Sequence, residues 1–246
     1  MVQFDYVSDL HIDHWHEEYS SLTPLGLTKN FPMKWKNIKS EILIIAGDVS
    51  DDLELTYQYI VGVIKPHYKK IFFIDGNHEH NLKMYSHAQI FRKFQDQEDI
   101  HYLPLDEVII GDTVFLGYCG WWDFSQSKEI NNYKNYERAR LEFFLLRGKL
   151  IKYQKDSKIK EIVIVTHTVP LPRFVREKDY DYNSNFIEFT QKKYSKIKRW
   201  VFGHAHQFYD LNLHGIDYLS NPRGRPEDFN REKYQIATSL QKKFKN

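Results

Sequence analysis

Five short apolar runs, each followed directly by acidic, amide or imidazole side chains, constrain the fold more than any other feature of this sequence. The runs are too continuously apolar to leave one face in water, which is typical of buried strands in a layered α/β protein. They are Val2–Val7, Glu41–Ala46, Lys70–Ile74, Lys160–Thr166 and Arg199–Phe202. The sequence therefore predicts a mixed α/β fold in which polar loops follow buried strands.

Helical periodicity appears between these runs, over Leu53–Ile64, Ala88–Gln95 and Glu129–Lys155. Gly148 weakens the last of these helices but is not expected to break it. Two hairpins are also predicted, because alternating runs flank short turns that contain glycine. They pair Glu107–Ile110 with Thr113–Tyr118, and Tyr209–Leu213 with Ile216–Ser220.

No internal repeat, low-complexity tract or linker rich in proline, glycine or serine divides the 246 residues, so we expect a single domain over residues 1–246 with two sheets. Three long segments, His14–Lys36, Gly120–Lys128 and Leu171–Asn185, are predicted to be loops. Loops of this length in a compact domain are often lids or binding loops.

The single cysteine, Cys119, excludes an internal disulfide and a zinc site built from several cysteines. No stretch approaches the roughly 20 apolar residues that span a bilayer, and the first residues do not resemble a secretory signal. We therefore expect a cytoplasmic protein with no membrane partner. The formal net charge of +2 lacks the strongly basic character of a dedicated duplex-binding domain.

Residues 231–246 form a basic C-terminal tail with five basic side chains and one acidic one. Such a tail can contact nucleic acid or anionic lipid. A solvated terminus is the favoured interpretation.

The residues that follow the five apolar runs carry the chemistry. The segments are Ser8–His11, Gly47–Asp51, Gly76–Glu79, Thr166–His167 and Gly203–His206. Ligands of open α/β sheets gather at the carboxyl ends of strands, so these segments should converge on one rim. Carboxylate, amide and imidazole donors suit manganese, iron or zinc, and the absence of thiolate argues against a purely structural zinc site.

Taken together, DLH at 9–11, GD at 47–48, GNHE at 76–79, the lone His167 and GHAH at 203–206 resemble the five motifs of the calcineurin-like metallophosphoesterases. SNPRG at 220–224 resembles the Asn-Pro loop of many members. The resemblance implies a four-layer αββα sandwich, with two sheets flanked by helices and a dinuclear metal site at the carboxyl ends of strands. It also implies hydrolysis of a phosphomonoester or phosphodiester in a small or nucleotide-like substrate.

Carried over by motif, the resemblance assigns two divalent ions to seven residues. One ion would be held by Asp9, His11, Asp48 and His206, and the other by Asp48, Asn77, His167 and His204. Two such ions can clamp a phosphoryl group and share a bridging water whose pKa falls towards neutrality. Two aspartates and a bound hydroxide leave this pair of ions with a charge of +1, which favours a phosphate anion.

The resemblance also predicts two catalytic residues that are not metal ligands. His78 is expected to be the general acid that protonates the leaving alkoxide, and Asp51 is expected to orient its imidazole. The next residue is Asp52, where the protein Ser/Thr phosphatase branch has an arginine. A protein phosphatase role is therefore disfavoured.

Four further residues are candidates for substrate binding. The guanidinium forks of Arg223 and Arg225 match phosphate oxygens, so one interpretation is that they clamp the substrate phosphate. The alternative is that both side chains are simply solvated at the surface of a turn. Trp121 and Trp122 are able to stack on a nucleobase, although most rings in such an aromatic chain belong to the core. The remaining histidines, at 14, 16, 67, 80, 87, 101 and 214, are interpreted as ordinary surface or hydrogen-bonded residues, and Asp75 has no assigned role.

Two other functions stay open at this point. The same fold serves repair nucleases, and the basic tail gives that alternative slight support. A non-catalytic scaffold would require gaps among the metal ligands, and none of the predicted positions is vacant. The physiological substrate, the native metals and the oligomeric state do not follow from the sequence.

Overall fold

Two mixed β-sheets face each other in the structure, a computed structural model that describes residues 1–15, 38–81, 83–123, 133–175, 182–228 and 234–239. The first sheet has the strand order β11-β1-β2-β3-β4. Its strands are β1 (Asp5–Val7), β2 (Ile42–Ala46), β3 (Lys70–Ile74), β4 (Ile100–Tyr102) and β11 (Ala237–Thr238). Strands β1 to β4 are parallel, and β11 pairs antiparallel with β1.

The second sheet has the strand order β5-β6-β7-β8-β10-β9. Its strands are β5 (Val108–Ile110), β6 (Thr113–Tyr118), β7 (Glu161–Thr166), β8 (Ile197–Val201), β9 (Tyr209–Leu213) and β10 (Ile216–Ser220). Both predicted hairpins are confirmed, because β5 pairs antiparallel with β6 and β9 pairs antiparallel with β10. Parallel pairing of β6, β7, β8 and β10 brings their carboxyl ends to one edge.

Within the described residues, three α-helices cover the outer faces of the sheets: α1 (Leu53–Tyr59), α2 (His87–Phe94) and α3 (Tyr133–Lys155). Helix α1 continues as a π-helical turn at Ile60–Ile64, so helical structure covers the whole predicted range Leu53–Ile64. Ser86 and Gln89 form a capping box at the start of α2. Helix α3 passes through Gly148 without a break, and predicted residues 129–132 lie outside the described residues.

Short 3-10 helices complete the described chain. They are Ile12–Trp15, Lys65–His67, His78–His80, Pro172–Phe174, Ser184–Thr190 and Lys192–Tyr194. The predicted loop over Leu171–Asn185 therefore contains a helical turn at its start and ends within another. Most of the predicted loop His14–Lys36, part of Gly120–Lys128 and His16 lie outside the described residues.

Alternate residues of the buried strands pack on opposite sides of each sheet. On β2, Ile44 and Ala46 contribute to the core between the sheets, whereas Leu43 and Ile45 pack against α1 and α2. On β7, Val163 faces the other sheet while Ile162 packs with the apolar face of α3. Because both faces are covered, these strands have no polar alternation. The predicted four-layer αββα arrangement is confirmed.

Two strands were not predicted, and several predicted ends differ from the observed ones. Strand β4 has three residues and β11 has two, which is too short for a periodic signal. Strand β11 lies inside the predicted basic tail and completes the edge of the first sheet beside β1. Strand β8 starts at Ile197, whereas the sequence predicts a start at Arg199. The prediction begins two residues late because exposed Lys198 interrupts the apolar pattern of the strand.

A buried ionic network attaches α3 to the end of β3. Arg138 on α3 donates hydrogen bonds to Asp75 and Glu142, each at 3.0 Å. Asp75 also lies 2.8 Å from Nε2 of His80 and accepts a hydrogen bond from the hydroxyl of Tyr102 at 2.6 Å. Burial raises the pKa of Asp75, but the His80 contact and the Arg138 charge outweigh it and hold that pKa below the ordinary value. Asp75, which had no role from sequence, is therefore a partner in this network.

Replacing Arg138 by methionine should destabilise the protein strongly. The side chains of Asp75 and Glu142 are at most 1% exposed, so Arg138→Met removes the guanidinium that lies between two buried carboxylates. Breaking a buried pair in this way costs about 3–5 kcal/mol. Urea unfolding of the purified variant measures the loss.

The matched control is Arg147→Met on the same helix. Arg147 pairs with Glu188 while 39% of its side chain is exposed, so solvent screens this pair and the expected loss is much smaller than that of Arg138→Met. Equal losses in the two variants would show that the buried network contributes no more than a surface pair.

Candidate active site

The loops after three neighbouring strands of the first sheet carry four of the predicted metal ligands. Asp9 and His11 follow β1, Asp48 follows β2, and Asn77 follows β3. The backbone N–H of Asp9 donates to the Gly47 carbonyl at 3.0 Å, and that of His11 donates to the Asp48 carbonyl at 3.1 Å. These hydrogen bonds fix the first two loops against each other.

The second sheet supplies the other three predicted ligands to the same rim. His167 follows β7, while His204 and His206 follow β8. The backbone N–H of His204 donates to the Asp9 carboxylate at 2.9 Å, which connects the two sheets directly. The structure therefore brings together all seven residues that the sequence predicted as ligands.

The donor atoms of the predicted ligands fall into two adjacent groups. The first donor group is Asp9, His11 and His206, and the second donor group is Asp48, His167 and His204. Within each group, one possible ligand atom from every residue lies within 4.8 Å of the others. Oδ2 of Asp48 is 3.1 Å from Nε2 of His167 and 3.9 Å from Nε2 of His11, so this carboxylate faces both groups.

His167 shows why the second donor group fits a cation. Its Nδ1 lies 2.9 Å from the carbonyl oxygen of Ala46, so Nδ1 carries a proton and Nε2 is the nitrogen that faces the other donors. Nε2 then lies 3.0 Å from Oδ1 of Asn77 as well as beside Asp48. Burial lowers the pKa of His167, but the charge of Asp48 outweighs burial and raises that pKa to about 10. Positive charge is therefore favoured at this point.

The first donor group also brings imidazole and carboxylate donors together. Nε2 of His11 lies 3.0 Å from Nε2 of His206, and Nε2 of His206 lies 3.5 Å from the Asp9 carboxylate. Burial lowers the pKa of His11 to about 2, so its imidazole stays neutral and able to bind a metal. Lone pairs that converge in this way on two adjacent points match the chemistry of a two-metal site.

The backbone is strained at most of the predicted ligands. Positive φ angles occur at Asp9 (50°), His11 (43°), Asp48 (56°), His204 (68°) and His206 (50°). Such angles are uncommon for residues other than glycine, and each costs on the order of 1–3 kcal/mol. Because strained backbone clusters at functional sites, its concentration on the predicted ligands supports a functional site at this rim.

The motif glycines are required by close approach. A Cβ atom on Gly76 would lie 2.1 Å from Oδ1 of Asp48, and one on Gly203 would lie 2.8 Å from Oδ2 of Asp9. No side chain fits at either position without moving a predicted ligand. This contact explains why glycine stands before Asn77 and before His204.

Glu79 fixes the loops after β2 and β3 relative to each other, a role that the motif alone did not reveal. Its buried carboxylate accepts backbone N–H groups from Asp48 at 3.0 Å, from Val49 at 2.6 Å and from Gly76 at 2.7 Å. Burial, together with the charge of Asp48, raises the pKa of Glu79 to about 7.

His78 and Asp51, the predicted catalytic pair, are in contact beside the donor groups. Nδ1 of His78 is hydrogen-bonded to the Asp51 carboxylate, which also accepts from the Asn81 amide at 2.9 Å. Burial lowers the pKa of His78, but Asp48 and Asp51 outweigh burial and raise that pKa above its ordinary value. His14 lies nearby, with Nε2 3.6 Å from Asp51.

The two candidate arginines occupy different surroundings. Nη2 of Arg225 lies 3.0 Å from Nε2 of His78, at the mouth of the site. Arg223 is only 1% exposed and stacks on Trp15, with its guanidinium carbon 3.7 Å from the ring centroid. Arg223 therefore neither solvates a turn nor lines the cavity described below.

The two candidate tryptophans also differ. Trp121 is 2% exposed and packs with His80 and the guanidinium of Arg138, so it belongs to the interior. Trp122 is partly exposed and stacks on His204, with ring centroids 5.3 Å apart. Trp122 is thus placed to support a predicted ligand.

A cavity of about 290 Å³ opens beside the donor groups. Its lining combines polar residues of the site with an apolar wall and two further acids. The lining residues are Asp48, His78, Val169, Val175, His204, Ala205, His206, Arg225, Glu227 and Asp228. The cavity therefore joins the donor groups, the His78–Asp51 pair and Arg225 in one space.

Asp228 was missed by sequence reasoning. Its Oδ2 lies 2.7 Å from Nδ1 of His206 and accepts the backbone N–H of Arg225 at 2.8 Å. It lies 22 residues beyond His206 and outside any motif, so no sequence signal could have identified it.

Helices long and apolar enough to cross a bilayer are absent from the part of the chain that the structure describes.

Comparison with known proteins agrees with this geometry. Residues 3–208 match the family of calcineurin-like phosphoesterases. A probable cyclic nucleotide phosphodiesterase of Vesicomyosocius okutanii is 25% identical over 224 residues, which cover 88% of this chain and 83% of that protein.

Two solved structures share the fold. The phosphopantetheinyl hydrolase of Mycobacterium tuberculosis superposes with a TM-score of 0.71 at 14% identity, covering 96% of this chain and 95% of that one. A dimetal phosphatase from Danio rerio superposes with a TM-score of 0.59 at 11% identity, covering 96% and 91%. With the family match over most of its length and the fold in agreement, this chain belongs to the calcineurin-like phosphoesterase family.

Proposed function

We propose that the chain hydrolyses phosphodiester bonds in small or nucleotide-like substrates, with two divalent cations at the rim of its sheets. The convergence of the two donor groups beside the His78–Asp51 pair is the observation that carries this proposal. Neutral imidazoles and only two ligand carboxylates leave such a pair of ions with net positive charge. That charge favours a phosphate anion and its transition state.

In this proposal, each donor group holds one ion. The first donor group binds one ion together with Asp48, and the second donor group binds the other together with Asn77. The oxygen and nitrogen donors accept manganese, iron or zinc. When bound, the two ions supply charge that polarises the phosphoryl group and lowers the pKa of a water nucleophile.

His78 is assigned the role of general acid and Asp51 the role of orienting it. The Asp51 contact holds Nδ1 of His78, which leaves Nε2 to pass a proton to the leaving oxygen. Arg225 reaches the same nitrogen, so in this proposal its guanidinium moves from Nε2 to a neighbouring phosphate oxygen when substrate binds, which leaves Nε2 free to carry the proton.

The cavity wall favours a diester over a monoester. A diester carries one negative charge on its phosphate and an organic group on each side. Val169, Val175 and Ala205 offer that second group an apolar surface, while Glu227 and Asp228 add negative charge that opposes a dianionic monoester. The name of the Vesicomyosocius relative supports the same substrate class.

The nuclease alternative has less support from the described residues. Backbone recognition along a nucleic acid needs a run of basic side chains. Arg225 contributes a cation to the cavity lining, whereas Glu227 and Asp228 contribute acids. The basic tail lies largely outside the described residues.

A substrate panel tests the proposal. Protein reconstituted with manganese is assayed against bis-nitrophenyl phosphate, nitrophenyl phosphate, 2′,3′- and 3′,5′-cyclic nucleotides and labelled single-stranded DNA. We expect the diesters and cyclic nucleotides to be cleaved with the highest kcat/KM, and Asp48→Ala to abolish that cleavage. Preference for nitrophenyl phosphate or for DNA would overturn the assignment to small diesters.

Replacing His78 by asparagine should slow poor leaving groups far more than good ones. A missing general acid costs about 10²–10⁴-fold when the leaving alkoxide needs a proton. Nitrophenolate leaves without one, so methyl phenyl phosphate should lose much more activity than methyl nitrophenyl phosphate in His78→Asn.

His214→Asn is the matched control for this exchange. His214 lies in the turn between β9 and β10 with φ of 53°, a conformation that asparagine tolerates. It should leave both rates unchanged. Equal losses for the two esters in His78→Asn would contradict the general-acid role.

Replacing Arg225 by glutamine should weaken substrate binding and transition-state stabilisation together. A hydrogen bond to a charged group contributes about 1.5–3 kcal/mol, so kcat/KM for a diester should fall by about 10–100-fold. Arg225→Lys retains the charge but not the fork, and it should recover part of the loss. Unchanged kcat/KM in Arg225→Gln would exclude a phosphate contact.

A further inference from the structure

The segment after β10 lies directly against the loop that follows β1. The backbone N–H of Arg223 donates to the Ser8 carbonyl at 2.9 Å, and that of Gly224 donates to the Asp9 carbonyl at 2.7 Å. These contacts hold the following turn, residues 225–228, at the edge of the first donor group. This turn carries both Arg225 and Asp228.

Asp228 closes that turn by two hydrogen bonds with Arg225. Its backbone N–H donates to the Arg225 carbonyl at 3.1 Å, and its Oδ2 accepts the Arg225 N–H at 2.8 Å. The position of the Arg225 backbone therefore depends on the Asp228 carboxylate. From this backbone the guanidinium reaches Nε2 of His78.

The same oxygen of Asp228 also holds His206. Oδ2 lies 2.7 Å from Nδ1 of His206, and the two side chains are only 17% and 15% exposed. Because Nδ1–H of His206 donates to this carboxylate, Nε2 of His206 presents its lone pair towards Asp9 and His11. His167 has its Nδ1 held by a backbone carbonyl instead, so His206 has the more strongly charged partner.

We propose that Asp228 is a positioning residue that orients His206 for metal binding and holds Arg225 at the mouth of the site. The inference rests on the proposed function for the role of Arg225. One carboxylate thereby supports both a metal ligand and the residue that receives the phosphate.

General metal chemistry gives the expected size of the effect. A carboxylate that accepts the second N–H of a ligating histidine fixes its tautomer and ring orientation and increases its basicity. Loss of such a partner typically lowers metal affinity by about 10–100-fold. Asp228 should therefore affect the ion held by the first donor group and leave the other ion unchanged.

The decisive measurement is metal affinity without substrate. Wild type, Asp228→Ala and Glu227→Ala are stripped with chelator and titrated with manganese or zinc in a metal buffer. We expect Asp228→Ala to bind one of two equivalents about 10–100-fold more weakly and the other with wild-type affinity.

Glu227→Ala is the matched control. Glu227 is the neighbouring residue and lines the same cavity, and its replacement by alanine removes the same charge. Its carboxylate is not hydrogen-bonded to His206. It should bind both equivalents as wild type does. Equal weakening in both variants would show that general negative charge, not the hydrogen bond, supports the metal, and would overturn the proposal.

Three further readouts separate positioning from simple loss of structure. Metal-free Asp228→Ala should unfold in urea close to metal-free wild type, and Asp228→Glu should recover part of the metal affinity. At saturating metal, Asp228→Ala should still raise KM for bis-nitrophenyl phosphate more than it lowers kcat, because the Arg225 turn has lost its acceptor. Wild-type affinity for both equivalents in Asp228→Ala, or a wild-type KM, would overturn the proposal.

The experiment also distinguishes this inference from the proposed function. If the wild-type protein binds two ions but cleaves no phosphodiester, the proposed function is wrong, and the metal affinities still test the role of Asp228. If the wild-type protein cleaves diesters and Asp228→Ala binds both ions with wild-type affinity, the proposed function stands and the role of Asp228 is wrong.

Discussion

The structure depends on forcing electron-rich atoms together at one rim. Nε2 of His167 lies against two oxygens, and Nε2 of His11 lies against Nε2 of His206. A proton or a metal cation between these atoms makes the contacts favourable, and the raised pKa of His167 shows that positive charge is favoured there. The fold holds the atoms in place at the cost of strained backbone at the predicted ligands, and the buried carboxylate of Glu79 fixes two of the loops by accepting three backbone N–H groups.

Much of this site could be predicted from the sequence because its ligands follow strands. A buried parallel strand is readable as an apolar run, and its carboxyl end fixes where the next few side chains lie. Asp9, Asp48, Asn77 and His167 are all of this kind. The hairpins and the long helix α3 were also readable, since their periodicity extends over several residues.

The rest could not be predicted, for definite physical reasons. Strands β4 and β11 are too short to carry a periodic signal. The partners of Asp75 and His206 come from distant parts of the chain, Arg138 and Asp228, and nothing local marks them. The position of Arg223 between a proline and a glycine suggested an exposed turn, but Trp15 covers its guanidinium.

The glycine contacts have a consequence for redesign of this protein. Since a single carbon added at position 76 or 203 would collide with an aspartate oxygen, neither position accepts another residue without moving a predicted ligand. The cavity wall also contains Val175 and Glu227, which are not predicted ligands and are not buried in the core. New selectivity can therefore evolve, or be engineered, by exchanging that wall while the reaction centre remains unaltered.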